Sequence, residues 1–412
     1  MKRWIRFSVA ALLMIGLIAA AVACGGDPIL DNEPASESTS STEKGAAEGT
    51  SGTEVAEEVS NPPQEPADGP EAGPEPNPSE PATNPDQAPG PEPTGPEFSN
   101  TEPLPPWDKA EPAPPKPYSG GKCPTLKSGT NTMQSGGKSR TFDLYLPTII
   151  AGSALLYMWH GLGDNPQNFA QSFGAQQISS SRSVIVVVPK GVSGPVIPQD
   201  VPPGIVSLLK ANAQAFFETW SFFGDPSADL TLFDDVLSCL HQQYKINRKR
   251  VYTSGFSAGA LWSTYLTMHR SEYLAASLLL SGGVMQKVLD LSTIPLIGSK
   301  SKVTVLDIPY TTPSHKVPVM MTAGGQNDVV SMANFVSFEF QVATDALSKA
   351  LVKDKHFAIQ CDHTQGHRVP QDVFNPALEF LFKHEFSNKP SPMAADPLPA
   401  GFPSYCRKAS SP

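Results

Sequence analysis

A serine flanked by small residues stands between a strand-like and a helix-like segment. The motif is Gly255-Phe256-Ser257-Ala258-Gly259, preceded by VYTS and followed by ALWSTYLTMHR. A sharp strand-to-helix turn holds a nucleophile in strained dihedral angles, and glycines two positions away on either side let the chain turn without clashes. The helix N-terminus then offers backbone N–H groups to a developing oxyanion. This context predicts that Ser257 is a nucleophile rather than part of an ordinary Gly/Ser-rich turn.

A serine hydroxyl is a weak nucleophile, so it needs a base, and the base needs an acid that orients it. Asp328 follows the strand-like run VPVMMTAGG and is the predicted acid. Asp307, in a strand-like run, and Asp345, on a predicted helix surface, are the alternatives. His367 follows the last predicted strand, with a glycine before it and a proline soon after, which suits a fixed loop. We predict that His367 is the base, with His363 as the alternative.

The same C-terminal region is also compatible with a metal site, because Cys361, His363 and His367 lie within seven positions of one another. No second pair of ligands follows at the spacing typical of zinc sites. We therefore expect no metal.

Two backbone N–H groups are expected to bind the oxyanion. Ala258 supplies the first, because it begins the helix after the nucleophile. The second is expected from the loop after the run ALLYMWHG, at Leu162, with Gly161 as the alternative. His160 and Trp220 are expected to contact substrate, although a tryptophan is more often simply packed in the core.

Alternating apolar runs and helical patterns predict the elements that position these residues. The predicted strands cover residues 141–147, 154–161, 183–191, 274–283, 317–325 and 356–361, residues 250–259 are predicted as a strand followed by a turn, and the predicted helices cover 232–244, 260–270 and 372–386. This alternation predicts an α/β fold with a mostly parallel sheet and helices on both faces. Residues 191–216 and 285–316 interrupt the pattern. They are either loops that shape a substrate site or structureless insertions.

The N-terminal quarter of the chain has a different composition. Residues 25–117 hold 22 of the 43 prolines and 20 of the 40 acidic residues, but 3 of the 30 basic ones. Such a segment cannot bury enough apolar surface to offset the entropy of ordering it. We predict a disordered, extended Pro/Glu-rich linker over 25–117 and a single catalytic domain over 118–412. Neither part carries the basic stripe that nucleic-acid binding requires.

Residues 1–24 have the pattern of an export signal. Three basic residues precede an uncharged, mostly apolar run over 7–23, which ends in Ala21-Val22-Ala23-Cys24. Small residues before a cysteine resemble a lipobox, which predicts a lipid anchor at Cys24 and a place in the cell envelope, outer membrane or cell surface. Leucine is usual where Ala21 stands. Cleavage by ordinary signal peptidase, giving a free extracellular protein, is therefore the alternative.

The four remaining cysteines predict two disulfides, because an exported domain with an even cysteine count commonly pairs them all. Four cysteines allow three pairings. We expect Cys123 with Cys406, joining the two ends of the domain, and Cys239 with Cys361. The last 26 residues read as a Pro-rich tail that ends near Cys406.

The motifs together resemble those of the secreted α/β-hydrolase esterases that include polyhydroxybutyrate depolymerases and bacterial feruloyl and acetylxylan esterases. The likeness runs from GGKSRTFDLYLP through RVYTSGFSAGA to Gly366-His367. It implies an α/β-hydrolase fold, a Ser257–His367–Asp328 triad, and carboxylic ester substrates on polysaccharide or polyester, with no cofactor. A serine peptidase of the same fold and a surface binding protein on an inactive hydrolase scaffold are the alternatives.

Overall fold

The computed structural model describes residues 110–194, 217–221, 225–290, 302–332 and 336–410. The strands within these ranges are β1 (Gly129–Ser135), β2 (Lys138–Tyr145), β3 (Ala154–Trp159), β4 (Val184–Pro189), β5 (Val192–Gly194), β6 (Phe217–Thr219), β7 (Val251–Phe256), β8 (Ala276–Leu280), β9 (Met285–Asp290), β10 (Lys302–Ile308), β11 (Val319–Ala323), β12 (Val329–Met332), β13 (Val336–Glu339), β14 (Ala358–Asp362) and β15 (Cys406–Lys408). The α-helices are α1 (Pro166–Ser172), α2 (Ala175–Arg182), α3 (Ser227–Tyr244), α4 (Ala258–His269), α5 (Phe340–Lys353) and α6 (Gln371–Lys383).

Nine of these strands form one sheet in the order β1-β2-β4-β3-β7-β8-β11-β14-β15. The six strands from β4 to β14 are parallel to one another. At one edge β1 and β2 join antiparallel, and at the other β15 joins β14 antiparallel. The predicted mostly parallel α/β sheet is therefore confirmed.

The sheet is buried on both faces, which explains why its central strands are apolar throughout rather than alternating. Along β3, Leu155, Tyr157 and Trp159 join one hydrophobic cluster with side chains of α3 and α4. The intervening side chains of β3 join a second cluster with α1, α2 and α6 on the opposite face. Helices thus cover both faces, as the sequence predicts.

Three two-stranded antiparallel ribbons follow the carboxyl ends of parallel strands. The ribbon β5–β6 follows β4, β9–β10 follows β8, and β12–β13 follows β11. β5 lies within the stretch 191–216 and pairs with β6 just after it, and both strands of β9–β10 lie within 285–316, so these stretches are not wholly structureless. Their central residues, 195–216 and 291–301, lie outside the described residues.

The predicted export signal with Cys24, and residues 25–109 of the predicted linker, lie outside the described residues. Within the described ranges, none of the helices combines the length and the apolar character that crossing a membrane would require.

Two disulfides form, as predicted, but the expected pairing is wrong. Cys123 pairs with Cys239, and Cys361 pairs with Cys406. Cys123 belongs to the segment that packs beside α3, which carries Cys239, whereas β15 brings Cys406 directly opposite Cys361 on β14. The tail beyond α6 thus returns to the sheet and adds its last strand.

Residues 110–117, part of the predicted linker, pack against the hydrolase domain. The Ala113 N–H donates to the Glu272 carbonyl at 2.9 Å, and Lys116 Nζ contacts Asp234 Oδ2 at 2.8 Å. Asp234 is buried, so its pairing is less screened than that of a surface carboxylate. The ordered domain therefore begins at least eight residues before the predicted boundary at 118.

Deleting residues 110–117 is expected to lower the free energy of unfolding by about 1–3 kcal/mol. The deletion removes the contacts above and leaves Arg248, which donates to two carbonyls of this segment, without those partners. The exposed Lys249–Glu111 pair should add little. Urea unfolding of the intact and deleted chains measures the difference, and equal midpoints would contradict the docked arrangement.

Candidate active site

Ser257 lies in the sharp turn between β7 and α4, at the carboxyl edge of the sheet. Its φ is 56° and its ψ is −122°, a strained combination for a residue with a side chain. A Cβ on Gly255 would lie 2.2 Å from the Gly259 carbonyl oxygen, and one on Gly259 would lie 1.8 Å from the Trp159 carbonyl oxygen. Both glycines are required because backbone, which cannot move aside, occupies the space of a side chain.

Gly259→Ala is expected to destabilise the fold by about 3 kcal/mol or more, at the upper end of overpacking effects, because the clash is with backbone. Gly161→Ala is the matched control, since its Cβ would meet ordinary contacts of 3.6 Å and longer. Thermal unfolding of both variants measures the contrast. Equal stability of the two would show that the turn relaxes freely.

The three side chains of the predicted triad lie within hydrogen-bond distance of one another. His367 Nε2 is 2.8 Å from Ser257 Oγ, and His367 Nδ1 is 2.6 Å from Asp328 Oδ1. Asp328 is fully buried, whereas His367 and Ser257 retain slight exposure. The rings of Phe256 and Phe340 pack on the imidazole, with centroids 4.8 and 4.5 Å away. This arrangement can pass the serine proton to the imidazole while a carboxylate orients it.

The acid and the base stand on loops that follow neighbouring strands, β11 and β14. Asp328 Oδ2 accepts hydrogen bonds from Ser281 Oγ at 2.9 Å and from the Gly324 N–H at 2.8 Å. The Gly366 N–H donates to the Gly324 carbonyl, and a Cβ on Gly324 would lie 1.9 Å from the Gly366 carbonyl oxygen. These glycines let the loop of His367 lie directly against the loop of Asp328. Sequence reasoning missed Ser281, because nothing local links it to the acid.

His363, the alternative base, has a different environment. Its Nδ1 accepts the Gln365 N–H at 3.2 Å, and burial is the main cause that lowers its pKa. The place beside Ser257 is taken by His367. The alternative metal site loses its thiolate, because Cys361 is bound to Cys406.

The two alternative acids are hydrogen-bonded to glutamine side chains rather than to the base. Asp307, exposed on β10, accepts from Gln286. Asp345, on α5, accepts from Gln341 and Gln360 at 3.0 and 2.7 Å.

The expected oxyanion donors stand next to the nucleophile. Ala258 is the first residue of α4, where backbone N–H groups have no partner within the helix. The other loop turns through Gly161-Leu162-Gly163-Asp164, with the Asp164 N–H donating to the Gly161 carbonyl and a φ of 77° at Gly163. This turn does not use the Leu162 N–H. Because a Cβ on Gly161 would be 3.6 Å from Ser257 Cβ, the turn runs against the nucleophile.

His160 and Trp220 are fully buried, so the expected direct contact with substrate is not met in this arrangement. Trp220 Nε1 donates to the His160 carbonyl at 2.9 Å, and the Gly191 N–H donates to His160 Nε2 at 3.1 Å. His160 therefore carries its proton on Nδ1, which faces the Gly161 carbonyl at 2.8 Å. Through these contacts, both side chains support the loop that carries Leu162.

Comparison with known proteins shows the protein family to which the chain belongs. Residues 153–374 match the model of the FSH1 serine hydrolases. This match covers more than half of the chain and includes the motif, the acid loop and the base loop. The chain belongs to the FSH1 serine hydrolase family.

The individual relatives share less than 30% sequence identity with this chain. The chain is 27% identical over 182 residues to feruloyl esterase D of Neurospora crassa, covering 40% of this chain and 54% of that protein. It is 24% identical over 195 residues to an oxidized polyvinyl alcohol hydrolase of a Sphingopyxis species, covering 43% and 54%. A bifunctional acetylxylan esterase/xylanase of Neocallimastix patriciarum is 24% identical over 141 residues, which cover 34% of this chain and 17% of that protein. The chain spans about half the length of the first two relatives.

A solved structure titled "Crystal Structure of pOPH Native" has the same fold. Its TM-score is 0.52 at 18% identity, covering 71% of this chain and 98% of that one. The predicted likeness to feruloyl and acetylxylan esterases is confirmed, and so is the α/β-hydrolase fold. The likeness to polyhydroxybutyrate depolymerases stays a prediction.

Proposed function

We propose that this chain is an exported carboxylic ester hydrolase in which Ser257 is the nucleophile, His367 the general base and Asp328 the orienting acid. The observation that carries the proposal is the hydrogen-bonded line from Ser257 Oγ through the imidazole to the buried carboxylate. Family membership and relatives that are named as esterases support the reaction class.

In the first half of the reaction, Ser257 Oγ attacks the ester carbonyl carbon while its proton passes to His367 Nε2. The carbonyl π electrons move to oxygen, where the N–H groups of Ala258 and Leu162 bind the negative charge. The tetrahedral intermediate collapses to an acyl-serine, and the leaving alkoxide takes the proton from the imidazolium. Asp328 holds Nδ1–H throughout, so that Nε2 is free to accept.

In the second half, His367 removes a proton from water, which attacks the acyl-serine. The second tetrahedral intermediate expels Ser257 Oγ, which recovers its proton from the imidazolium, and the acid is released. These steps consume one water and require no cofactor.

We further propose that the substrates are feruloyl or acetyl esters on polysaccharide, or short polyhydroxyalkanoates. A panel tests this proposal: an aryl acetate, methyl ferulate, acetylated xylan, a hydroxybutyrate oligomer and oxidised polyvinyl alcohol. A fluorophosphonate probe run in parallel reports the reactive serine directly. Hydrolysis of one ester together with labelling at Ser257 is the expected result.

Other outcomes favour the alternatives. Cleavage of an aminoacyl anilide without ester hydrolysis would indicate a peptidase. A folded protein that neither hydrolyses the panel nor reacts with the probe would indicate a binding protein on an inactive scaffold.

Export and anchoring form a separate part of the proposal, based on the residues before Cys24. Expression in a bacterium fed an alkyne-labelled fatty acid is expected to label the wild type and not Cys24→Ala. Release of unlabelled wild-type protein into the medium would instead indicate ordinary secretion.

A further inference from the structure

The last strand of the sheet and the residue before it contact the chain on both sides of the loop that carries His367. That loop covers residues 363–370, between β14 and α6. Tyr405 Oη donates to Asp372 Oδ1 at 2.6 Å, just after the loop. Cys406 is bonded to Cys361, just before it. Three consecutive residues, Tyr405 to Arg407, thus bracket the loop, because Arg407 also pairs with Asp362, the last residue of β14.

The same strand is connected to the loop that carries Asp328. Asp362 Oδ1 accepts from Gln341 Nε2 at 2.9 Å, and Gln341 Oε1 accepts the Gly325 N–H at 3.0 Å. Gly325 follows Gly324, whose N–H binds the Asp328 carboxylate. Arg407, Asp362 and Gln341 therefore form a series of side-chain contacts that leads from β15 to the loop of Asp328.

The contacts differ in strength. Arg407 is more than half exposed, so its ion pair alone contributes little. Cys361 is fully buried, and His363, at the start of the loop, packs its buried ring edge-on against Tyr405. The disulfide and Tyr405 are therefore the main restraints on the loop, and Arg407 extends them to Asp362.

We propose that β15, together with Tyr405 immediately before it, is a positioning element of the active site: Tyr405, Cys406 and Arg407 hold the loops of His367 and Asp328 in register with Ser257. The inference rests on the proposed function. None of the three touches substrate. A misplacement of reacting groups by about 1 Å can lower turnover about 100-fold, so restraints on the base loop act directly on kcat.

The two disulfides provide a matched comparison. The test compares Cys361→Ala/Cys406→Ala with Cys123→Ala/Cys239→Ala. The Cys123–Cys239 bond joins the N-terminal segment to α3 and closes the longer loop, with a sequence separation of 116 against 45. Chain entropy therefore predicts that the control loses at least as much stability. We expect kcat per folded molecule to fall about 10- to 100-fold in the Cys361/Cys406 variant and to stay within about twofold in the control.

A second pair of variants removes one hydroxyl each and leaves the fold intact. Tyr405→Phe loses the bond to Asp372, whereas Tyr310→Phe loses an equivalent bond to Asp354 Oδ2, at 2.8 Å, away from both catalytic loops. We expect a fall of several fold in kcat, with little change in KM, for Tyr405→Phe alone. A purely structural role of β15 predicts equal kcat in the two.

Amide hydrogen exchange provides a readout that does not depend on turnover. The Gly366 N–H, which donates to the Gly324 carbonyl, and the rest of residues 363–370 are expected to exchange faster in the Cys361/Cys406 variant. Unchanged exchange with unchanged kcat would overturn the positioning role. An inactive wild type that resists the fluorophosphonate would instead overturn the proposed function, and exchange would still decide the role of β15.

Discussion

Ser257→Ala is expected to lower kcat about 100,000-fold or more, with the fold unchanged. Alanine keeps the backbone geometry of the turn but removes the only atom that can form the acyl-enzyme. The remaining oxyanion donors and the imidazole cannot replace it, because members of such a triad act as a unit. Steady-state hydrolysis of the best ester in the panel, with wild type alongside, measures the loss.

Ser254→Ala is the control for this variant, because Ser254 is a buried serine three positions earlier on β7. It should retain activity close to that of wild type, and the fluorophosphonate should still label it at Ser257. Residual turnover of Ser257→Ala within tenfold of wild type would contradict the assignment of the nucleophile.

Asp328→Asn is expected to lower kcat about 10,000-fold while leaving the protein folded. Asp328 Oδ2 accepts from Ser281 Oγ and the Gly324 N–H, so the asparagine oxygen will occupy that side. Its NH2 group then faces His367 Nδ1, which must become an acceptor. The proton moves to Nε2, and the imidazole can no longer remove the proton from Ser257.

Asp307→Asn is the matched control, because Asp307 is a plausible acid by sequence and its carboxylate is exposed on β10, where it accepts from Gln286. It should change kcat by less than about threefold, as expected for a substitution outside the site. A loss in Asp307→Asn as large as in Asp328→Asn would contradict the proposed acid.

The large losses of kcat expected for Ser257→Ala and Asp328→Asn depend on one feature of the fold. The loops of Ser257, Asp328 and His367 follow β7, β11 and β14, whose carboxyl ends share one edge of the parallel sheet. Ser281 follows β8 at the same edge and donates to the acid. Residues far apart in the chain therefore meet without any long connection across the domain.

Local pattern was sufficient for the central strands, the helices around the nucleophile and the turn motif. Burial on both faces makes parallel strands continuous apolar runs, and the turn at Ser257 needs glycine on both sides, so both leave a direct mark on neighbouring residues. The roles of Asp328 and His367 are predicted from their loop positions after predicted strands, and the structure places the two side chains in contact.

Features that depend on contacts between distant segments were missed or mistaken. The pairing of Cys361 with Cys406 depends on β15 returning to β14, and no residue near either cysteine indicates that return. The docking of residues 110–117 depends on carbonyls meeting Arg248, in a segment whose composition resembles the linker.

The sequence by itself thus determined the α/β class and the nucleophile turn, because these follow from periodicity and local steric limits, and loop positions indicated the candidate acid and base. Only the tertiary structure decided which cysteines pair, that His160 and Trp220 are buried, and that Ser281 and β15 contact the residues around the acid and base loops. Those outcomes depend on distances between segments, and such distances are properties of the packed fold rather than of any stretch of the chain.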